Sequence, residues 1–153
     1  MNILRILIFA FIPAVLAGEL FAQVKNEHLN LKDGLAIEGY DPVAYFVTGK
    51  AIDGKNNLSA KVDQITYRFS SAANRELFLK DPQKYQPQYG GWCAYAMGDN
   101  GDKVEVDPET FKIIDNKLYL FYNAYFNNTL KKWNADEGNL KKNADLNWKK
   151  TIK

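Results

Sequence analysis

Cys93 is the single thiol in a chain of 153 residues, and His28 is the single imidazole. A thiolate is a soft ligand, and Met97, four residues on, is a second soft donor of the kind that suits monovalent copper. Secondary structure decides whether the two sulfurs could share an ion. On a helix, residues four apart are neighbours, with about 6 Å between β-carbons. On a strand the same pair lies roughly 13 Å apart at about 3.3 Å per residue, too far for one ion. As a nucleophile Cys93 needs a base, and only His28 could serve, from a polar segment with no sustained periodicity. No phosphate loop is present, because Gly90-Gly91 lacks the surrounding glycines and the Lys-Ser/Thr ending. No catalytic constellation emerges, and the chain reads as a binding protein rather than an enzyme.

The cysteine stands in Tyr89-Gly90-Gly91-Trp92-Cys93-Ala94-Tyr95. Two glycines let the backbone pass where a side chain would clash. With nine Tyr, nine Phe and three Trp, the chain can build an aromatic-walled core or pocket. Tyr40, Tyr45, Tyr89, Trp92 and Tyr95 are the candidate lining residues for a small organic ligand or a partner protein.

The elements that must position these residues follow from pattern. Ile65, Tyr67 and Phe69 alternate with polar residues, a half-buried strand. Ser70 or Ser71 then caps a helix over 72–79. Trp92–Met97 and Lys103–Val106, separated by a glycine-bearing polar loop, predict a hairpin. Phe111–Ile114 and Lys117–Tyr122 predict a second, turning at Asp115-Asn116, two residues that tolerate left-handed backbone. The latter strand is apolar on both faces, which places it centrally. Asn123–Trp133 reads as a helix, and Leu140, Ala144, Trp148 and Ile152 line one stripe of another. Asp41-Pro42, Asp81-Pro82 and Asp107-Pro108 each suit a single helical turn with an inward aromatic. The expected fold class is α+β, a small antiparallel meander with helices packed on one face.

Length allows one domain. Twenty basic and 18 acidic residues give a net charge of +2, no footprint for nucleic acid. Residues 1–22 have the layout of a secretory signal peptide: Arg5, the apolar run Ile6–Leu16, then small residues offering cleavage after Ala17 or Ala22. Pro13 and the short run argue against stable membrane insertion. The expected location is secreted or periplasmic. Residues 23–35 read as a flexible lead-in and 36–153 as the domain. With one cysteine no internal disulfide can form, so an exported chain of this kind rests on its core. The thiol is then either buried and inert or kept for reactivity, as in a redox sensor.

Gly39-Tyr40-Asp41-Pro42-Val43-Ala44-Tyr45-Phe46, Tyr67-Arg68-Phe69-Ser70-Ser71, Pro87–Ala96 and Lys117–Asn123, in that order, resemble the exported proteins of the YHS-domain family. The resemblance spans about Leu35 to Trp148. It implies a small α+β domain and, through kinship with cysteine-bearing domains of metal-transporting ATPases and metal-sensing regulators, binding of copper or another heavy metal. Cys93 alone carries over from that metal pattern; the further cysteines of the related domains have no counterpart here. Two expectations stand side by side. One is a metal-handling protein using Cys93 with a ligand from another element, such as His28. The other is a metal-free binding module with an aromatic pocket.

Overall fold

A computed structural model describes residues 26–153; the expected leader lies outside them. The alternation at Ile65–Phe69 forms strand β4, its Ile65, Tyr67 and Phe69 buried. β1 (Leu31–Lys32), β2 (Leu35–Ala36) and β3 (Lys55–Val62) complete a sheet of order β1-β2-β4-β3. This sheet is mixed and not the expected meander: β2 runs parallel to β4 through Leu35 and Thr66, while β1–β2 and β3–β4 are antiparallel. The first two strands come from the segment read as a loose lead-in. Asn30 N donates to Gly90 O at 2.8 Å and Trp92 Nε1 to His28 O at 2.7 Å, tying that segment to the body of the fold. Its polar composition conceals this because the bonds use its backbone.

Asp41-Pro42 opens a short helix, α1 (Ala44–Val47), and α2 (Ala72–Lys80) is capped by Ser71, whose hydroxyl accepts from Asn74 N. Asp81-Pro82 starts the single turn α3 (Pro82–Tyr85) with Asp81 as its cap. Asp107-Pro108 instead opens a strand. β5 (Asp107–Ile114) pairs antiparallel with β6 (Lys117–Phe121) across Asp115 and Asn116, whose φ values of 50° and 57° are those of a tight hairpin.

β6 divides the interior. Leu118 and Leu120 join one core with Phe69, Phe78 and Tyr45; Tyr119 and Phe121 join the other with Met97, Trp133 and Ala144. Its two apolar faces arise from the period of two along a strand. It is central to the molecule but not to a sheet, since among the described residues β5 is its only ladder partner apart from one bridge between Pro87 and Leu118. The second core is covered by α4 (Ala94–Asp99), α5 (Thr129–Ala135) and α6 (Glu137–Thr151). Helices therefore flank the molecule in two groups, not on one face. The helix expected over Asn123–Trp133 begins only at Thr129, after a miniature hairpin of β7 (Asn123–Ala124) and β8 (Asn127–Asn128).

Candidate functional site

The stretch from Trp92 to Met97 is not a strand. Cys93 stands at the N-terminus of α4, and Ala94, Ala96 and Met97, all good helix formers, turn inward. Gly101, at φ 85°, donates its N–H to Ala96 O at 3.0 Å and ends the helix in a left-handed cap. Gly98 sets the packing: a β-carbon there would stand 2.4 Å from Leu140 O, so α4 and α6 cross with backbone nearly touching. Gly98, with Ala94 one turn before it on the same face, serves this crossing, a demand that the apparent alternation does not reveal.

Cys93 is fully buried. Its sulfur accepts from Tyr122 N at 3.3 Å and lies 3.4 Å from Thr129 Oγ1. The Thr129 hydroxyl spends its one hydrogen on Tyr122 O, 2.8 Å away, so the thiol donates to that hydroxyl and a ring of three bonds closes. The expected pairing with His28 is absent: its imidazole faces Lys103 Nζ at 3.4 Å and Glu27 at 3.6 Å. Among the described residues no group of three or more His, Cys, Asp or Glu could hold a metal ion.

The five aromatics expected to share one pocket are dispersed. Tyr45 is buried and donates to Pro108 O at 2.9 Å, and Tyr40 bonds Glu109 near the surface. Trp92 covers His28 beneath Lys103, and Tyr95 lies under the Lys132 ammonium, 5.6 Å from the ring centroid. Only Tyr89 borders a sizeable cavity.

That cavity is a cleft of about 910 Å³ between the β1–β2–β4 side of the mixed sheet, α3 and the end of α6. Two left-handed turns contribute Ile37, Tyr89 and Gly90 to its lining. One is Ile37-Glu38-Gly39, with φ values of 51°, 51° and 94°; the other is Tyr89-Gly90-Gly91, with 54°, 62° and 85°. A β-branched residue at positive φ is an outlier that its surroundings must enforce. Gly90 is obligatory for a second reason: a β-carbon would meet Trp148 Cη2 at 2.8 Å and His28 O at 3.0 Å. The glycine pair thus accommodates the N-terminal segment and Trp148, not the cysteine.

Ile37, Ile65 and Trp148 supply apolar cleft surface, and Lys80, Lys117 and Lys149 stand around it with Asp63, Asp81 and Asp145. Tyr67 accepts from Gln86 Nε2 at 3.0 Å, and its own O–H has no acceptor among the described residues. Burial pushes its phenol up to about 12, so it remains a donor at neutral pH. Tyr89 donates to Asp145 at 2.9 Å, and burial with that carboxylate raises its phenol well above the ordinary value. Tyr67, Gln86, Asp145 and Trp148 were not legible as site residues, since three separated segments bring them together.

A further buried residue escapes the turn reading of Asp41-Pro42. The fully buried Asp41 carboxylate accepts from Val43 N, Ala44 N, Ser70 N, Ser70 Oγ and Asn74 Nδ2, joining the first turn to β4 and α2. It is a structural node. Comparison with protein-family models, curated proteins and solved structures finds no match.

Proposed function

We propose that this chain is an exported, non-catalytic binding module of YHS-domain type whose ligand is a small, partly apolar organic molecule bearing a hydrogen-bond acceptor such as a carboxylate. One observation carries the reading: a cleft within the usual range of ligand sites, to which two enforced left-handed turns contribute Ile37, Tyr89 and Gly90, lined also by Tyr67, whose O–H is unspent among the described residues. The Tyr67 O–H takes the acceptor end, and Ile37, Ile65 and Trp148 take the apolar body. Cys93 is not among the cleft residues and serves the fold. Titrating isotope-labelled protein with a panel of small aromatic and aliphatic carboxylic acids tests this. Amide shifts at Tyr67, Gln86 and Gly90 are expected, and they vanish in Gln83→Trp, which blocks the rim. Shifts elsewhere only, or none across the panel, remove the proposal.

A second reading, copper handling through Cys93, is favoured by one observation. The two sulfur residues lie one helical turn apart, with Met97 N donating to Cys93 O at 3.0 Å, so the strand-based objection to a shared ion lapses. Equal copper(I) affinity in wild type and Cys93→Ala eliminates it.

A further inference from the structure

The hairpin β7–β8 closes through Tyr125 and Phe126 alone, with Ala124 opposite Asn127. Both tip residues are left-handed, at φ 50° and 63°, positions that Asn-Gly fills without strain. Both are aromatic, and their side chains meet solvent: relative exposures are 91% for Tyr125 and 111% for Phe126, the highest of the exposed large hydrophobics. The stem beneath them is held firmly. Asn123 Nδ2 donates to Thr110 Oγ1 at 3.0 Å and to Asp107 at 3.3 Å, Thr129 N donates to Tyr122 O at 3.0 Å, and the Cys93 ring closes on Tyr122. The hairpin is therefore a fixed knob with a strained, apolar end.

The surroundings select the occupant. Three of the four paired stem positions are Asn123, Asn127 and Asn128, so the two exposed aromatics stand on a largely polar base. A stable protein interface buries about 800 Å² on each side around a packed centre, more than such a pair offers. A lipid interface yields to a point, and it favours an amphipathic Tyr beside a Phe. Lys131 and Lys132 lie exposed on α5, which follows the knob directly in sequence, Lys132 with its ammonium over the Tyr95 ring, and they supply cations for phosphate headgroups on this side of the chain. Asp107 lies at the stem with its carboxylate engaged by Asn123 and Thr110, and the exposed Glu109 stands two residues along the same strand. We propose that Tyr125 and Phe126 insert into the interfacial layer of an anionic bilayer, with Lys131 and Lys132 against its headgroups. The proposed attachment is of the peripheral kind, and no helix among the described residues is long and apolar enough to cross a membrane.

The test is co-sedimentation of the full chain with vesicles of equal parts phosphatidylglycerol and phosphatidylcholine. The decisive variant is Tyr125→Asn/Phe126→Gly, which gives the turn its preferred residues and keeps the hairpin folded. Its vesicle affinity should fall at least about tenfold, as expected for withdrawing two aromatic side chains from lipid. Lys131→Gln/Lys132→Gln should abolish the preference for phosphatidylglycerol over pure phosphatidylcholine. Hydrogen exchange at Tyr125–Asn128 should slow on vesicles. Because both chains carry Ile6–Leu16, adsorption through that run is common to them. Equal affinity of variant and wild type, or a wild type that ignores vesicles, overturns the proposal. A wild type that dimerises while the variant stays monomeric overturns it as well, making the knob a contact between copies.

Discussion

Cys93 illustrates how a reactive residue type can be absorbed by structure. Its sulfur satisfies the Tyr122 amide at the end of β6, and the thiol and Thr129 hydroxyl pass the hydrogen-bonding on to Tyr122 O. Cys93→Ala should lower unfolding stability by about 1–3 kcal/mol, through a small void and an unsatisfied amide, read from the urea midpoint. A thiol-reactive dye should label the native protein only at the rate of its opening. Asp41 is the stronger case. Replacing it with Ala removes the acceptor for Val43 N, Ser70 N, Ser70 Oγ and Asn74 Nδ2, the last keeping only Ser70 Oγ, so a loss of at least about 3 kcal/mol is expected in the same measurement. In the cleft, Tyr67→Phe removes one donor and should weaken a carboxylate ligand by about tenfold while leaving the urea midpoint nearly unchanged, because Gln86 remains partly exposed.

Among the elements, α4 depends most on distant contacts. Six residues make a marginal helix alone, and its stability comes from lying against α6. Gly98→Ala pushes a β-carbon onto the Leu140 carbonyl, where backbone and not a flexible side chain must yield. A loss of about 1–3 kcal/mol is expected, with hydrogen exchange accelerating first in α4 and α6. Gly90→Ala faces both a left-handed φ of 62° and the Trp148 ring. It should loosen the 26–32 segment, seen as faster exchange at Asn30 N, whose acceptor is Gly90 O. These two substitutions separate the glycine that packs helices from the glycine that docks a strand.

For the molecule as a whole, the buried tyrosines make stability fall at high pH. Burial is the leading cause of the raised values at Tyr45, Tyr67 and Tyr89. Each phenol is raised from 10.0, so folding favours the neutral form. The stabilisation is complete below the unfolded value and is lost as pH rises through the folded one, about 12 for Tyr67. Urea midpoints should therefore hold steady to about pH 10 and drop steeply above it, with tyrosinate absorbance rising together with unfolding. A flat profile through that window would mean the three phenols titrate without disturbing the cores.

Local pattern alone determined the α+β class, strand β4, the capped helix α2, the hairpin at Asp115-Asn116 and the apolar stripe of α6. Each of these is written within a few residues, in a period of two, a period near four, a capping hydroxyl or a tolerant turn. Tertiary structure decided the rest. Ile37 takes a left-handed turn against its own preference, and Ala94–Asp99 becomes a helix because α6 receives it. Leu31–Lys32 and Leu35–Ala36 become strands through backbone bonds to distant partners, and the cleft exists only where separated segments converge. Such features depend on partners far away in the chain, and no window along it contains them.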